Sequence, residues 1–461
     1  MFDKNFLWGT ASSSYQIEGA FAEDGKGVSI WDTFSNKPGN IAHNENGNEA
    51  CDHYHRYRED IVLMKGLGIQ AYRFSISWTR IFPDGIVKDS DGNVNFNKAG
   101  LDFYDNIVNC CLENGIEPFI TLYHWDLPQA LEDNGGWLNR QTAYIFADYA
   151  EFICEHFSDR VVNIATINEP QIISGLGYMN GLHAPGKKLD CISVLSVIHH
   201  LALAHGLAVA KMRAVAKQPI KTGFSSTGDL CFPASECDED IDAARAESFK
   251  IVTGNMTFNH TIFCDMTCLG RYPDIAGTGL HLEKGLEKIG HYKDLPFVKD
   301  GDSELMYQPI DFLGINVYNG HEVSVTGHIK KKPGSPRTAL GWPVTPGVMN
   351  YGIRYMYERY NLPIYIFEDG LACNDIISLD GKVHDSNRID FLTRYLTDLE
   401  KAYKAGVPIL GYFHWSFTDN FEWHSGYDPR FGLIYVDYET QQRIPKDSAY
   451  WYSDLIKKSC N

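Results

Sequence analysis

The stretch IYIFE at residues 364–368 places four β-branched or aromatic residues directly before a glutamate. A short apolar run of this composition is typical of a strand that is buried on both faces of a parallel sheet. The run FITLY at residues 119–123 has the same character, and similar runs recur along the whole chain. The predicted strands are 6–13, 70–76, 117–123, 161–167, 221–226, 311–317, 363–368 and 408–415.

Helical patterns lie between these strands. Residues 54–67 and 143–157 are two examples, and Gly66 and Gly68 are expected to end the first helix. Eight strands that alternate with helices favour an α/β fold, a single-domain (β/α)8 TIM barrel over residues 1–461. An open doubly wound sheet also fits the composition and the period. No glycine-rich phosphate-binding loop follows any strand, so the nucleotide-binding versions of that sheet lose support.

The formal net charge of the chain is −18 at pH 7. An acidic surface repels phosphate backbones and anionic lipid, so we predict neither a nucleic-acid nor a membrane partner. No stretch approaches the ~20 uninterrupted apolar residues of a membrane span. The N-terminus lacks the basic start and the apolar run of a signal peptide. We expect a small-molecule partner, and we leave self-association open.

The 11 cysteines are odd in number and scattered without a C-x-x-C pair, which is not typical of a disulfide framework or a zinc site. This usage predicts a reducing, cytoplasmic location. His199, His200 and His205 fall on a predicted helix, but their spacings do not give the i, i+4 pair of a helical metal site. We therefore predict a core or surface role for these histidines.

Polar or aromatic residues close most of the predicted strands. In a (β/α)8 barrel the chemistry takes place at the C-terminal ends of the strands, so these residues are the first candidates for an active site. Each one alone is also compatible with an ordinary loop, but their repetition after successive strands favours a shared site. They are Arg73, His124, Asn168, Glu169, Asn316, Glu368 and Trp415.

Two of these residues are glutamates. Glu169 follows the fourth predicted strand and Glu368 follows the seventh. Glycoside hydrolysis needs a proton for the leaving oxygen and a nucleophile or activated water for the anomeric carbon, and two carboxyl groups supply both. Strand ends that face each other across a barrel mouth can hold two carboxyls ~5 Å apart, the separation of retaining enzymes. A single glutamate is more often structural, so the prediction depends on the motifs around the pair.

A series of short motifs runs through the chain in a fixed order. They are FLWGTA (6–11), YQIEG (15–19), YRFSISW (72–78), YHWDLP (123–128), NEP (168–170), HAPG (183–186), NVY (316–318), EDG (368–370), HWS (414–416) and DNFEW (419–423). In number, order and spacing they resemble the motifs of the family-one glycoside hydrolases, a (β/α)8 family of retaining β-glycosidases. The resemblance covers nearly the whole chain.

The resemblance implies roles for the residues around the scissile bond. Glu368 matches the nucleophile and Glu169 matches the acid/base, whose pKa is expected to be raised by the second negative charge nearby. Arg73 matches a fixed cation that keeps the nucleophile ionised, and Tyr318 matches a phenol that hydrogen-bonds it. Asn168 matches a donor to the sugar 2-hydroxyl, a contact that strengthens in the transition state.

The resemblance also implies a set of sugar-binding residues. Trp415 matches the platform under the sugar, and Trp423 matches a donor near O3 or O4. We assign Trp342 to the wall of the leaving-group (aglycone) side. The residues expected to hold the other ring hydroxyls or to complete the substrate site are Gln16, His124, Trp125, Asn316 and Glu422.

Three residues depart from the family pattern. Asp369 stands where members usually have asparagine, and a second anion facing the site would raise the pKa of the nucleophile, so we expect its side chain to point away. Gln171 replaces a tryptophan that lines the leaving-group side in many members, and Val317 replaces an aromatic residue. The first departure affects the expected pH optimum, and the second affects the aglycone preference.

The function that the family resemblance implies is a retaining β-glucosidase, with no metal and no cofactor. It would hydrolyse non-reducing-end β-D-glucosyl residues of cello-oligosaccharides and of aryl or alkyl β-glucosides by double displacement. Two alternatives in the family stay open, a 6-phospho-β-glucosidase and a transglycosylating β-glycosidase, and an alternative of a different class is a catalytically silent glycan-binding barrel. The presence of both glutamates argues against a silent barrel. The segment FEWHSGY (421–427) has a Glu-Trp pair, which phosphate-6 members of the family are expected to replace with a serine- and lysine-containing phosphate pocket.

Overall fold

The computed structural model describes residues 2–251, 257–275 and 289–460. Eight parallel strands close into a barrel in which each strand pairs with the next along the chain and the last pairs with the first. The barrel strands are β1 (Leu7–Ala11), β2 (Ala71–Ser75), β3 (Glu117–Tyr123), β4 (Asn163–Asn168), β5 (Lys221–Ser226), β6 (Leu313–Asn316), β7 (Ile364–Asp369) and β8 (Ile409–Trp415). All eight predicted strands are confirmed, with ends that differ from the prediction by at most two residues.

One main helix follows each strand. These helices are α1 (His53–Gly66), α2 (Lys98–Glu113), α3 (Gln141–Phe157), α4 (Cys191–Val215), α5 (Thr261–Cys268), α6 (Gly347–Tyr360), α7 (Ser386–Lys404) and α8 (Asp447–Cys460). The predicted helices at 54–67 and 143–157 are confirmed as α1 and α3. Gly66 is the last residue of α1, and Gly68 takes the left-handed φ of +78° that favours glycine after a helix.

Shorter elements decorate the loops between strands and helices. A three-stranded sheet (Cys231–Pro233, His321–Ser324 and Gly327–His328) packs against the helix Asp238–Ser248, and a hairpin joins Ile434–Asp437 to Gln442–Pro445. The remaining α-helices are Ser14–Ile17, Ile30–Ser35, Trp78–Ile81, Gln129–Asp133, Pro170–Ile172 and Asp302–Met306. A π-helix spans Ile173–Met179, and 3-10 turns span Ala42–Asn44, Gly136–Leu138, Tyr292–Asp294 and Trp423–Ser425.

Helix α4 is the one helix in the described ranges that is long and apolar enough to cross a membrane. However, 83% of its most apolar window is buried inside the protein, as in the core helix of a globular fold. Its three histidines are buried and have protein partners. His199 contacts Asp302, His200 contacts the Trp137 carbonyl and His205 contacts Thr166, so the predicted core role is confirmed.

Aromatic side chains fill the interior of the barrel. Phe119, Tyr365, Phe367 and Phe413, from β3, β7 and β8, pack with ring centroids 4.9–6.3 Å apart. Small residues on β1, β2 and β4 join the same cluster, so the barrel is a packed core and leaves no room for a channel. Any substrate site therefore lies above this cluster, at one end of the barrel.

Irregular strand pairing at the ends of β4 and β7 turns polar side chains toward the barrel axis. In β7 the register shifts after Ile366, so that Phe367 and Glu368 both face the interior although they are consecutive. In β4 the register shifts between Ala165 and Asn168, and both of these residues face inward. Such bulges re-aim side chains near active sites. They place polar groups directly above the aromatic cluster.

Candidate active site

A cavity of about 560 Å³ opens at the C-terminal ends of the barrel strands. Its wall comes from strand ends and from the loops that follow them, and it is lined by Trp415, which packs in the same cluster as the aromatic residues of the barrel interior. The predicted residues that line it are His124, Trp125, Glu169, Asn316, Tyr318, Trp342, Glu368, Trp415, Glu422 and Trp423. The structure therefore brings most of the predicted site together at the end where a (β/α)8 barrel carries its chemistry.

Glu368 is held by a cation and a phenol. Arg73 Nη1 donates to Glu368 Oε1 at 2.7 Å, and Tyr318 Oη donates to Oε2 at 2.8 Å. Burial raises the pKa of Glu368, whereas the positive charge of Arg73 and the hydrogen bonds from Arg73 and Tyr318 oppose that rise. Both carboxylate oxygens have a fixed donor, so the orientation of Glu368 in the cavity is defined.

Glu169 has a different environment from Glu368. Its backbone takes a left-handed φ of +47°, which turns the chain from β4 into the next helix, and Asn316 Nδ2 donates to Oε1 at 2.6 Å. Burial raises the pKa of Glu169 well above the usual value, and the negative charge of Glu368 raises it further. Because Glu169 has no direct cationic partner, it is the carboxyl of the pair that keeps its proton.

A chain of hydrogen bonds joins Arg73 to the sugar side of the cavity. Arg73 Nη2 donates to Asn168 Oδ1 at 2.7 Å, and Asn168 Nδ2 lies 3.1 Å from His124 Nε2. Burial and the positive charge of Arg73 hold the pKa of His124 well below its usual range, so the imidazole is neutral. With Nε2 accepting from Asn168, the proton of His124 resides on Nδ1, a buried atom that has no hydrogen-bond partner within the described part of the chain.

Glu422 presents an unsatisfied acceptor at the cavity. Its Oε2 is buried and has no hydrogen-bond partner among the residues that the structure describes. Burial and the charge of Glu368 raise the pKa of Glu422 to about 8. A buried polar atom without a partner is costly, and a ligand hydroxyl would satisfy this one. The tryptophan rings of Trp125 and Trp423 lie against each other beside it, with centroids 4.6 Å apart.

Gln16, Arg73 and Asn168 lie behind the cavity wall and are fully buried. The Gln16 amide Nε2 donates to Asn420 Oδ1 at 3.0 Å and to the Phe421 carbonyl at 2.9 Å, so this side chain supports the loop that carries Glu422. Trp125 also has a supporting contact, because its indole N–H donates to the Asn168 carbonyl at 2.9 Å. Trp125 therefore offers its ring face to the cavity.

Several residues of the cavity had no predicted role. Ile172, Leu176 and Leu182 line it from the segment that follows Glu169, and their apolar spacing directly after the acid/base motif was the available signal. Phe258 and Phe431 come from distant loops and carried no signal. His183 Nε2 contacts His424 Nδ1 at 3.1 Å on the same wall. Within the described ranges no group of three or more His, Cys, Asp and Glu side chains is arranged to hold a metal ion.

The three departures from the family pattern lie outside the cavity lining. Asp369 points away from the site, as predicted, and accepts a hydrogen bond from Tyr412 Oη at 2.7 Å. Gln171 is buried behind the wall, where its Nε2 donates to Ser226 Oγ at 2.9 Å. Val317 is buried as well. Trp342 stands across the mouth, its ring 5.4 Å from that of Tyr318, in a position that suits the predicted leaving-group wall.

The burial of Asp369 leads to a stability prediction. Burial raises its pKa well above the usual value, and its Oδ1 has no hydrogen-bond partner in the described ranges. A carboxyl whose folded-state pKa is raised binds more protons folded than unfolded, so the free energy of unfolding falls as pH rises above about 4. Asp369→Asn removes this pH-dependent loss of stability, because an amide does not ionise, and it keeps the shape of the side chain. We expect the variant to be more stable by about 1–3 kcal/mol at pH 8.

The gain in apparent Tm of Asp369→Asn over wild type should be largest at pH 8 and should shrink toward pH 4. Parallel thermal scans across that range measure it. The exposed Asp390→Asn on α7 is a control that should show little pH-dependent gain. A pH-independent difference for Asp369→Asn would show that Asp369 is not held in its neutral form.

Comparisons with known proteins identify the family of the chain. The family model of Glycosyl hydrolase family 1 matches residues 1–460. The chain is 44% identical over 466 residues to β-glucosidase A of Thermotoga maritima, covering 99% of this chain and 98% of that protein. It is 43% identical over 465 residues to a 1,4-β-D-glucan glucohydrolase of Thermotoga neapolitana, with 99% and 98% covered. The solved structure of the Thermotoga maritima β-glucosidase in complex with glucoimidazole superposes with a TM-score of 0.87 at 42% identity, covering 99% of both chains.

Proposed function

The chain belongs to glycosyl hydrolase family 1, and we propose that it is a retaining β-glucosidase acting on the non-reducing ends of cello-oligosaccharides and on aryl or alkyl β-glucosides. The observation that carries the proposal is the pair of buried carboxyl groups in one cavity. Glu368 is fixed by a cation, and Glu169 has the more strongly raised pKa. The names of the relatives, a β-glucosidase and a glucan glucohydrolase, support glucose-terminated glucans as substrates.

In the first step the two carboxyls act on opposite sides of one bond. A Glu368 oxygen bonds to the anomeric carbon while the bond from that carbon to the leaving oxygen breaks, and Glu169 donates its proton to that oxygen. Arg73 and Tyr318 keep Glu368 ionised and oriented for the attack. The products are a covalent glucosyl ester of Glu368, a departing alcohol and an ionised Glu169.

In the second step the roles of Glu169 reverse. The ester of Glu368 carries no charge, so the electrostatic contribution that raised the pKa of Glu169 disappears and Glu169 remains ionised. It accepts a proton from water while the water oxygen bonds to the anomeric carbon and the ester bond breaks. Two successive inversions retain the β configuration. Glu169 and Glu368 line the same cavity and the charge of Glu368 raises the pKa of Glu169, which supports the short separation that this route needs.

A panel of nitrophenyl glycosides tests the proposal. We expect release of nitrophenol from the β-glucoside at the highest rate among gluco-, galacto-, fuco- and xylo-configured β-glycosides. Proton NMR of the reaction should show β-glucose as the first product, with the α anomer growing later by mutarotation. Release of α-glucose first would overturn the retaining mechanism, and inertness toward the whole panel would favour the silent glycan-binding barrel.

The alternative 6-phospho-β-glucosidase predicts the opposite substrate preference. Among the described residues, no lysine or arginine lines the cavity. Arg430, the cation nearest in sequence to Glu422, pairs with Asp419 instead. A phosphate on O6 would bring a near-dianion to Glu422 without a cationic clamp, and where Glu422 is ionised one unit-charge pair at ~4 Å costs about 4 kcal/mol at an effective dielectric of about 20.

We expect nitrophenyl β-glucoside to exceed its 6-phosphate by about 100-fold or more in kcat/KM at pH 7, because the phosphate would lose its hydration in a cavity without a lining cation among the described residues. Because the pKa of Glu422 is about 8, its charge and hence the discrimination should increase between pH 7 and pH 8.5. Steady-state kinetics with both substrates at the two pH values measure this. Comparable kcat/KM values would favour the phosphoglucosidase.

The cytoplasmic location stays a proposal. The ten cysteines from Cys51 to Cys373 whose side chains the structure describes are thiols that form no disulfide, and eight of them are buried. Free buried thiols suit a reducing compartment, where they persist without forming disulfides. Burial raises the pKa of Cys51 to about 12 and that of Cys231 to about 12, which keeps these thiols in the unreactive protonated form.

A further inference from the structure

Ser225 lies at the C-terminal end of β5, between the strands that carry Glu169 and Asn316. Its side chain is fully buried, and its hydroxyl donates to Asn316 Oδ1 at 2.6 Å. The same asparagine donates from Nδ2 to Glu169 Oε1 at 2.6 Å. In addition, the backbone carbonyl of Ser225 accepts from the Glu169 amide at 2.9 Å. One serine is thus tied to both the backbone and the side chain of Glu169.

The orientation of the Asn316 side chain decides what Glu169 meets. An asparagine can turn either its NH₂ or its oxygen toward a neighbour. Asn168 Oδ1, which Arg73 fixes, accepts from Asn316 Nδ2 at 3.2 Å, and at the other end the Ser225 hydroxyl donates to the oxygen. These two contacts turn the NH₂ group toward Glu169.

A donor beside Glu169 favours its ionised form. The hydrogen bond from Asn316 lowers the pKa of Glu169 against the larger effects of burial and of Glu368. Donation from Ser225 to the amide oxygen polarises the amide, which makes its N–H a stronger donor. The second step of the reaction needs an ionised Glu169, so this chain of contacts favours that step.

Given the proposed role of Glu169 as acid/base, we propose that Ser225 is a positioning residue that acts through Asn316 to hold Glu169 in the geometry and charge state required by the second step. Ser225 does not line the cavity and has no contact with substrate to make. Its effect on the reaction is therefore indirect, and it differs from that of a residue that binds the sugar.

Ser225→Ala removes the hydroxyl that donates to Asn316 Oδ1. We expect the basic limb of the kcat/KM profile for cellobiose to move up by about 0.5–1 pH unit, because ionised Glu169 loses support. With dinitrophenyl β-glucoside, whose second step limits turnover, kcat should fall about 3–10-fold on the acid side of the profile. The KM for that substrate should fall together with kcat, since the covalent intermediate accumulates.

Ser226→Ala is the matched control. It removes a buried hydroxyl from the next residue of the same strand, one that contacts Gln171 and His260 but not Asn316. Its basic limb should coincide with that of wild type. A shift in Ser226→Ala equal to that in Ser225→Ala would mean that any loss of packing on β5 moves the profile, and would overturn the proposal.

A double-mutant cycle tests the route through Asn316. Asn316→Ala alone should move the basic limb, and adding Ser225→Ala should move it no further, because the serine then has nothing to orient. Additive shifts would overturn the route. The proposed function fails separately, if Glu169→Ala slows the first step equally on cellobiose and dinitrophenyl β-glucoside. If that variant behaves as an acid/base mutant while Ser225→Ala keeps the wild-type profile, only the inference about Ser225 is overturned.

Discussion

Glu368→Ala is expected to lose turnover of nitrophenyl β-glucoside by about four orders of magnitude or more. The variant retains the cavity, Arg73 and Tyr318, but it has no atom that can bond to the anomeric carbon. Azide or formate should restore part of the cleavage, because a small anion fits the space that the carboxylate leaves. Since this attack is a single displacement, azide should give the α-glucosyl azide.

Nitrophenol release is measured with and without azide at high concentration, and the product is identified by NMR. Thermal scans of the variant check that it is folded, and the neighbouring Asp369→Asn checks that a change on the outward face of the same strand leaves the nucleophile working. Activity of Glu368→Ala near that of wild type in contaminant-free protein would refute its assignment. A β-glucosyl azide from this variant would place the nucleophile on another residue.

Glu169→Ala is expected to discriminate between leaving groups. The departing alkoxide of cellobiose needs a proton, so kcat/KM on cellobiose should fall about 10²–10⁴-fold. The dinitrophenolate of dinitrophenyl β-glucoside leaves without help, so kcat/KM on that substrate should fall far less. Its kcat should still drop, because the second step has lost its base, and azide should raise it again by giving the β-glucosyl azide.

Pre-steady-state kinetics separate the two steps, since a burst of dinitrophenolate reports accumulation of the covalent intermediate. Glu169→Gln is the matched variant, because it keeps the shape of the side chain and cannot deliver the proton. Equal losses of the first step on both substrates would show that Glu169 is not the acid. If azide did not raise the turnover of dinitrophenyl β-glucoside by Glu169→Ala, Glu169 would not be the base of the second step.

Much of the fold and of the site follows from local sequence patterns. The eight apolar runs predicted the barrel strands because buried parallel strands are short and composed of β-branched and aromatic residues. The strand-end polar residues then predicted the contents of the cavity, since all strands of a closed parallel barrel point the same way. Glu169 and Glu368 were found in this way, with the family motifs supplying their roles, whereas Tyr318 was found from the motifs alone.

Other features depend on contacts that no local pattern encodes. Phe258 and Phe431 reach the cavity from loops far apart in the chain. The indole of Trp125 donates to a backbone carbonyl and Gln16 supports a loop, although the motifs predicted direct contacts of both with sugar hydroxyls. Whether an amide or indole faces a ligand or the protein is decided by a rotation of one side chain, and the sequence does not specify that rotation.

The bulge in β7 has a consequence for anyone who redesigns this barrel. A strand with strict two-residue alternation that kept Phe367 in the core would direct Glu368 toward the helices and Asp369 toward the sugar. The enzyme would then present the Asp369 carboxylate to the sugar, without the guanidinium of Arg73 beside it, although its amino-acid sequence would be unchanged. The β7 bulge therefore decides which carboxylate is the nucleophile as much as the glutamate itself does. An idealised scaffold that keeps every side chain but removes the bulge would be inactive.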